Sequence, residues 1–294
     1  MQIIAKELNY TYSEKSKSLA VKALKNINLT INEGDFFGII GHTGSGKSTF
    51  VQLLNGLLKL GKNGGSLTIG EYDLTDKKCD FKSLRGKIGM VFQYPEHQLF
   101  AETVFNEVAF GLNNFNKGLS QEEKERRVKN AMEVVGLDYF KLKDKSPFDL
   151  SGGQKRRVAI AGVIVSKPEI LVLDEPVAGL DPQGKREFIE LLHNLKNSMV
   201  KTIIIVSHDM NVISENCNRC AVFSKGEIYV VGTPKEIFLR GQELVDLGLQ
   251  LPVTAYLTNR LTAFGLEVDN DFTTKDFVKA VIKAFLPNIK DGDN

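Results

Sequence analysis

Short runs of consecutive apolar residues alternate with helix-like patterns along most of this chain. Four of the runs cover residues 36–40, 88–92, 170–173 and 202–206. A strand that is apolar at every position has both faces buried, and helices between such strands are typical of a parallel sheet covered on both sides. The pattern therefore predicts an α/β fold built on a mostly parallel sheet.

The first thirty residues follow a different pattern. Residues 3–10 and 24–31 resemble strands, and no helical segment separates them. Strands joined without a crossover helix favour antiparallel pairing. We therefore expect a small antiparallel β subdomain beside the loop that follows residue 40.

Strand-like runs fade after residue 93, and a helical pattern takes their place. Ser120 and Glu123 have the spacing of a capping box, and Gly136 follows as a helix stop. These signals predict an inserted helical subdomain at about residues 94–165.

A second change of pattern follows Gly232. Thr233, Pro234 and Glu236 place a cap, a first-turn proline and an N3 glutamate in sequence, which predicts a helix start. We therefore expect a large domain at residues 1–232 and a C-terminal helical domain at residues 233–294. Residues 273–276 resemble another helix start, and the apolar stripe that follows at helical spacing packs either on its own domain or on another subunit. The stripe consists of Phe277, Val278, Val281, Ile282 and Phe285.

Composition and charge narrow the class of protein. With 294 residues, 42% of them hydrophobic, the chain is long enough to bury a sizeable core. The net charge of +2 provides no global electrostatic case for binding nucleic acid. The amino terminus lacks a basic segment followed by a long apolar one, and no run approaches the ~20 apolar residues of a membrane span. We therefore expect a protein that stays in the cytosol.

The three cysteines include a single CxxC pair, Cys217 and Cys220. A tetrahedral zinc site would need a second pair, whereas Cys79 stands alone. Since a reducing compartment gives such thiols no disulfide role, we expect the pair to serve packing.

A glycine-rich loop between an apolar strand and a helix-compatible run matches the pattern GxxxxGK[ST]. Its glycines let backbone N–H groups converge on a phosphate, and the helix start adds a favourable dipole. Lys47 is expected to reach the β- and γ-phosphates of a nucleotide, and Ser48 to ligate Mg²⁺. The predicted nucleotide-binding residues of this phosphate loop are Gly41, His42, Thr43, Gly44, Ser45, Gly46, Lys47, Ser48 and Thr49.

Two adjacent acidic residues, Asp174 and Glu175, end the apolar run at residues 170–173. Ligands of open parallel sheets bind at the carboxyl ends of the strands, so both side chains are expected at that edge. There Asp174 can hold Mg²⁺, and Glu175 can polarise the water that attacks the nucleotide.

The segment from Leu150 to Gln154 precedes a helical run. Ser151, Gly152 and Gly153 can open that helix with exposed N–H groups, which suits a γ-phosphate. The basic triplet at residues 155–157 is open to the simpler interpretation of a solvated helix face.

These motifs, in this order, resemble the ATP-binding cassette family over about residues 5–232. The resemblance implies a P-loop NTPase nucleotide-binding domain with antiparallel and helical subdomains, and it implies ATP and Mg²⁺ as cofactors. By the same resemblance Gln93 ligates the metal, senses the γ-phosphate and connects to a transmembrane partner. Asp181 crosses a dimer interface, and His208 keeps the γ-phosphate and Glu175 in register.

The resemblance also implies a role for Tyr12 and a dimeric mechanism. Tyr12 is similar to the aromatic residue on which the family stacks adenine, although an aromatic on an early strand is often part of the core. In this family the phosphate loop of one subunit meets a signature segment of the other subunit. Ser151 to Gln154 of this chain resemble that segment. A monomer is then expected to bind ATP and to hydrolyse it poorly.

Residues 91–100 and 146–162 are similar to the energy-coupling factor branch of the family, and more narrowly to the second of its two paired ATPase subunits. This implies a homologous ATPase partner, a transmembrane coupling subunit and small substrate-binding membrane subunits, with the chain at the cytoplasmic face of the membrane. Gln98 is expected to help receive the coupling subunit. Val177, where a hydroxyl residue is common, is a departure that leaves the nucleotide site intact.

Two other functions remain open from the sequence. One is the ATPase of a dedicated cobalt or nickel importer that works as a homodimer. The other is a soluble regulatory ATPase that switches a partner and transports nothing.

Overall fold

The computed structural model describes residues 1–12, 20–61, 64–116 and 118–285. The chain divides into two compact units. The first consists of Met1–Asp35 and Ser48–Val206, and the second of Phe36–Lys47 and Ser207–Asn294. The predicted domain boundary between residues 232 and 233 stays a prediction, and residues 286–294 of the C-terminal domain lie outside the described ranges.

Strands and helices alternate as the sequence predicts. The strands in the described ranges are β1 (Ile3–Tyr12), β2 (Val21–Ile31), β3 (Phe36–Gly41), β4 (Ser66–Ile69), β5 (Tyr72–Asp73), β6 (Ile88–Val91), β7 (Ile170–Asp174), β8 (Thr202–Val206), β9 (Arg219–Ser224) and β10 (Glu227–Gly232). The helices there are α1 (Lys47–Leu54), α2 (Phe81–Lys87), α3 (Val104–Phe115), α4 (Gln121–Val134), α5 (Tyr139–Leu142), α6 (Gly152–Ile164), α7 (Pro182–Ser198), α8 (Met210–Asn216), α9 (Pro234–Phe238), α10 (Gly241–Asp246), α11 (Val253–Ala263) and α12 (Thr274–Phe285).

The first unit contains the antiparallel sheet predicted for the amino terminus. Its strand order is β2-β1-β4-β5, and Ile3 lies opposite Ile31 on one side and Ile69 on the other. The register between β1 and β2 shifts near Glu7, whose φ of 46° marks an irregularity in the strand. Apart from such bulges, alternate residues of β1 and β2 supply the buried face.

The same unit contains three neighbouring parallel strands, β6, β7 and β8. Ile170 of β7 lies opposite Ile88 of β6 and Thr202 of β8. Every residue of β6 and β8 is buried, as expected for strands with helices on both faces. In the second unit, β3 pairs in parallel with β9, and β9 pairs antiparallel with β10.

Helices α3 to α6 form the helical region predicted after residue 93. Ser120 caps α4 by accepting a hydrogen bond from Glu123 N at 3.2 Å. A capping box would also have the Glu123 carboxylate accept a hydrogen bond from Ser120 N, and that part of the prediction is wrong. The carboxylate instead accepts from Arg126 and Arg127, both at 2.8 Å. The guanidinium groups therefore compete successfully for the acid. Gly136, with a φ of 75°, follows the end of α4 as predicted.

The second unit ends in helices with the predicted start signals. Thr233 and Glu236 form a capping box that starts α9, and Thr273 Oγ1 accepts from Asp276 N at the start of α12. The apolar stripe of α12 has no buried member among its described residues. Across the described ranges, no helix combines the length and apolar character needed to cross a membrane.

Candidate functional site

The phosphate loop leaves the carboxyl end of β3 in the second unit. Gly41 has a φ of 154°, and a β-carbon at this position would lie 2.3 Å from Phe223 O, so only glycine fits. Gly44 has a φ of 80°, and a β-carbon there would meet no heavy atom within 4 Å. Lys47 Nζ donates to Gly41 O at 2.7 Å and to His42 O at 2.9 Å. The Lys47 ammonium group is therefore enclosed by the backbone of the loop.

The same loop is closed by backbone hydrogen bonds. Ser45 N donates to His42 O at 3.2 Å, and Gly226 N donates to Ser45 O at 3.1 Å. The Ser45 hydroxyl is fully buried and has no hydrogen-bond partner among the described residues. A glycine-rich turn that carries a lysine and starts a helix fits the phosphates of a nucleotide.

His208 lies in the second unit, beside the strand from which the loop departs. Ser207 N donates to Ile39 O at 3.2 Å, and Asp209 N donates to Ser207 Oγ at 3.0 Å. These bonds hold the backbone on both sides of His208, whose side chain is exposed. The structure thus brings His208 and the phosphate loop to one end of β3.

Asp174 and Glu175 lie in the first unit, where β7 ends. Asp174 pairs with Val206, the last residue of β8, and Glu175 N donates to Val206 O at 2.9 Å. Glu175 has a φ of 49°, in the left-handed region that non-glycine residues seldom adopt. The strand end therefore presents two half-buried carboxylates, the second on a strained backbone.

The other predicted metal ligands belong to the same unit. Gln93 follows β6 by two residues and is exposed, and Val91 of β6 lies opposite Leu173 of β7. Asp174 ends β7 and Gln93 follows β6, so the two residues lie at the carboxyl ends of adjacent parallel strands. Ser48 is exposed in the first turn of α1. The donor set fits Mg²⁺, since hydroxyl, amide and carboxylate oxygens are the ligands this ion prefers.

Tyr12 is the last residue of β1 and is 41% exposed. Its hydroxyl lies 3.2 Å from Thr49 Oγ1, which connects it to the first turn of α1. The ring packs edge-to-face on Tyr10, with 5.0 Å between ring centroids. The structure therefore brings Tyr12 and Thr49 together and leaves much of the Tyr12 ring accessible.

The signature segment starts α6 in the first unit. Ser151 Oγ accepts from Gln154 N at 3.3 Å, and Gln154 Oε1 accepts from Ser151 N at 3.1 Å. Gly152 and Gly153 are exposed, and a β-carbon on either would meet no heavy atom within 4 Å. The two glycines leave the first turn of α6 open to another molecule. Asp181 caps α7 by accepting from Gly184 N at 2.9 Å.

Arg156 is a buried member of this region that sequence reasoning missed. Only 6% of its side chain is exposed, and it forms an ion pair with Glu96. A solvated helix face is therefore the wrong interpretation for this member of the basic triplet. The two partners are sixty residues apart in the chain, so no local pattern signals their contact.

A cavity of about 280 Å³ lies between β6, α3 and α6 in the first unit. Gln98 and Phe100 line it, and Phe110 packs edge-to-face on Phe100 with 4.9 Å between ring centroids. Glu107, also in the lining, accepts from Phe100 N at 2.8 Å and from Ala101 N at 2.7 Å. Both phenylalanines are about half exposed or more, so the cavity has an apolar rim. We call this feature the phenylalanine groove.

The two cysteines of the CxxC pair are buried in the second unit. Burial raises the pKa of Cys220 to about 12 and that of Cys217 well above its usual value, so both are neutral thiols. A β-carbon on Gly38 would lie 2.9 Å from Cys220 Cβ, which shows how closely β3 packs there. Among the described residues, no group of three or more histidine, cysteine, aspartate or glutamate side chains could hold a metal ion.

Known proteins resemble the chain over most of its length. Residues 24–178, more than half of the chain, match the ABC transporter domain family. The energy-coupling factor transporter ATP-binding protein EcfA2 of Caldanaerobacter subterraneus subsp. tengcongensis is 46% identical over 290 residues, which cover 99% of each chain. The protein of the same name from Bacillus subtilis is 44% identical over 269 residues, 91% of this chain and 96% of its own.

Solved structures agree with the predicted fold. The structure of cbiO1 from Clostridium perfringens, described as part of the ABC transporter complex cbiONQ, has a TM-score of 0.71 at 38% identity and covers 87% of this chain and 98% of its own. A dimeric ATP-binding cassette in a post-hydrolysis state, bound to ADP and phosphate, has a TM-score of 0.69 at 32% identity and covers 79% and 98%. The chain therefore belongs to the ABC transporter family and, within it, to the energy-coupling factor transporter ATP-binding proteins.

Proposed function

We propose that the chain is the ATP-binding and ATP-hydrolysing subunit that energises an energy-coupling factor importer for vitamins or other micronutrients. It acts as a dimer with a homologous ATPase on a transmembrane coupling subunit, to which small substrate-binding membrane subunits attach. The observation that carries the ATPase activity is the acidic pair at the end of β7, with Glu175 on a left-handed backbone. Such strain persists where the surrounding structure holds a residue for its task.

Each residue of the nucleotide site has a separate task. Lys47 and the amides of the phosphate loop bind the β- and γ-phosphates, and Tyr12 stacks on the base. Ser48, Gln93 and Asp174 hold Mg²⁺, which supplies positive charge to the phosphates when bound. These ligands are a hydroxyl, an amide and a carboxylate oxygen, and oxygen atoms of this kind bind Mg²⁺ at neutral pH.

Hydrolysis depends on positioning a water and on stabilising the charge of the transferred phosphoryl group. Glu175 polarises the water, and His208 keeps the γ-phosphate and Glu175 in register. The open first turn of α6 at Gly152 and Gly153 binds the γ-phosphate of the partner's nucleotide. Asp181 contacts the partner at the same interface. Each site is therefore complete only when two ATPase subunits face each other.

The phenylalanine groove is the proposed docking site of the transmembrane coupling subunit. It has an apolar rim, and part of its lining, Pro95 and residues 98–100, follows Gln93 in the chain. An occupant would therefore contact the loop that carries a nucleotide ligand. Gln98 lines the groove and is exposed, which suits recognition of a helix backbone or polar side chain. This contact would hold the chain at the cytoplasmic face of the membrane.

The exposed stripe of α12 suits pairing with the homologous ATPase. Val278, Ile282 and Phe285 are 47%, 48% and 62% exposed on successive turns of the helix. An apolar stripe of this kind is buried in most proteins by a partner surface.

A second candidate function is the homodimeric ATPase of a dedicated cobalt or nickel importer. Because the similar cbiO1 is described as part of a single ABC transporter complex, cbiONQ, a dedicated set of companions is the second candidate. The chemistry of the nucleotide site would be the same, and only the companions would differ.

Isolation of the complex separates the two candidates. Membranes are solubilised gently, the chain is recovered with its companions, and the companions are identified by mass spectrometry. A homologous ATPase with a coupling subunit and several small membrane proteins would support the leading proposal. The chain alone with one fixed membrane partner would support the dedicated importer, and the absence of any membrane protein would overturn both.

The docking site is tested by paired substitutions in the same experiment. Phe110→Asp places a charge in the apolar rim, so we expect recovery of the coupling subunit to fall about tenfold or more. Phe140→Asp is the matched control, because Phe140 is 72% exposed on α5 and lies outside the groove lining. Equal recovery with the two variants would contradict the assignment of the groove.

A further inference from the structure

Arg156 is a buried cation to which the nucleotide chemistry described above assigns no task. It lies on α6, two residues after Gln154, with 6% of its side chain exposed. A buried charge is costly unless it is paired and hydrogen-bonded, so its partners should matter to the protein.

One partner is Glu96, in the 3₁₀ turn Pro95–Gln98 that follows Gln93. Arg156 Nε donates to Glu96 Oε2 and Arg156 Nη2 donates to Glu96 Oε1, both at 3.0 Å. This is the two-point geometry that arginine forms with a carboxylate and lysine cannot reproduce. Burial acts to raise the pKa of Glu96. The hydrogen bonds from Arg156, a bond to its own backbone N–H and the charges of Arg156 and His97 together lower the pKa more, so the acid is ionised at neutral pH.

The other partners are backbone carbonyls directly after Glu175. Arg156 Nη1 donates to Pro176 O and Arg156 Nη2 donates to Ala178 O, each at 3.3 Å. One guanidinium therefore bonds simultaneously to the segment after Gln93 and to the segment after Glu175.

A second feature brings the same two segments close together. Tyr94, next to Gln93, has a φ of 54°. A β-carbon on Gly179 would lie 3.6 Å from Tyr94 Cε1. The Tyr94 ring therefore lies near the backbone after Glu175, which Arg156 bridges to the loop that carries Gln93.

We propose that Arg156 and Glu96 form a buried tie that holds the backbone after Glu175 in register with the loop that carries Gln93, and that ATP hydrolysis depends on this tie. Arg156 is then a positioning residue and touches no nucleotide. The inference rests on the proposed function, because it assigns Glu175 and Gln93 the tasks given there. It predicts that loosening the tie slows hydrolysis and leaves nucleotide affinity unchanged.

The test compares Arg156→Lys with Arg157→Lys in the purified full-length protein and in the complex recovered from membranes. Lysine keeps the positive charge and lacks the two-point geometry. Arg157 is the matched control, because it lies on the same helix and bonds to Val135 O and Glu187 instead. We expect Arg156→Lys to lower kcat about tenfold with KM for ATP within about twofold, and Arg157→Lys to change kcat by less than about twofold.

Hydrogen exchange separates positioning from general destabilisation. In Arg156→Lys, amides in residues 93–98 and 174–181 should exchange faster, while those of the buried strand β8 should keep their rate. Adding Glu96→Gln to Arg156→Lys should lower kcat no further, because the two side chains act as a unit.

The outcomes are distinguishable from a failure of the proposed function. Wild-type kcat in Arg156→Lys, or an equal loss in Arg157→Lys, would overturn the dependence of hydrolysis on the tie. Unchanged exchange in both segments would overturn the tie itself. A wild-type complex without ATPase activity would instead refute the proposed function, and the exchange measurement would still report on the tie.

Discussion

Glu175 has a φ of 49°, a backbone conformation that residues other than glycine rarely adopt. Such a conformation costs on the order of 1 kcal/mol or more and persists only where neighbouring bonds hold it. Here the bond from Glu175 N to Val206 O and the bond from Ala178 N to Glu175 O supply that constraint. The strained residue therefore stands at the edge of the sheet, directly after the end of β7.

Replacing Glu175 with glutamine tests its proposed task. Glu175→Gln should keep ATP binding and lower turnover in the complex by about 100-fold or more, because the water loses its polarising carboxylate while the phosphate contacts remain. ATP should then hold the two ATPase subunits together, which size-exclusion chromatography measures. Glu227→Gln is the control, since Glu227 is exposed on β10. Near-normal turnover of Glu175→Gln would refute the assignment.

Helix starts show how an element is built from local side chains. Ser151 and Gln154 form both bonds of a capping box at α6, and Thr233 and Glu236 do the same at α9. At α4 the sequence pattern is the same, yet the Glu123 carboxylate bonds to nearby arginines. The spacing of a motif therefore predicts where a helix starts, and neighbouring charges decide which bonds form.

The segment that leads into α3 is held in part by a buried acid, Glu107. Glu107→Ala should lower the free energy of unfolding by about 2–4 kcal/mol, because the amides of Phe100 and Ala101 would lose a charged acceptor. Urea denaturation of the purified protein measures the loss. Glu102→Ala is the control, since Glu102 is exposed nearby. Equal losses in the two variants would show that the buried carboxylate does not stabilise the segment.

Across the molecule, opposite ends of the parallel strands have different tasks. Lys87, Glu169 and Lys201 directly precede β6, β7 and β8, and Glu169 lies 2.9 Å from Lys87 and 3.3 Å from Lys201. Lys201 also pairs with Glu33 at 3.0 Å. The amino ends of these strands thus carry a network of ion pairs, whereas their carboxyl ends carry Gln93 and the acidic pair. The ion pairs that stabilise the strands and the residues of the nucleotide site therefore lie at opposite ends of the same strands.

This network predicts a loss of stability in acid. The hydrogen bond from Lys87, and then that from Lys201, lowers the pKa of Glu169 below its ordinary 4.5. The unfolded chain then binds more protons below about pH 4.5, so the stabilisation is present above that pH and is lost as the pH falls through the folded pKa. Glu169→Gln should therefore flatten the fall in unfolding free energy between about pH 5 and pH 3.

Chemical denaturation at a series of pH values measures this slope. Glu122→Gln, a change at an exposed position on α4, is the matched control and should leave the slope as in the wild type. A slope in Glu169→Gln equal to that of the wild type would contradict a contribution from the network.

The sequence by itself determined the features that depend on neighbouring residues. The phosphate loop, the acidic pair after β7, the caps of α6 and α9 and the apolar strands are contiguous patterns, so their physical meaning is local. Only the tertiary structure decided which distant residues meet. Glu96 and Arg156 are sixty residues apart, and folding brings them together because α6 packs against the turn after Gln93. The spacing of residues in the sequence does not show that these two charges are buried. Because a buried charge without a partner is costly, their burial makes the pairing necessary.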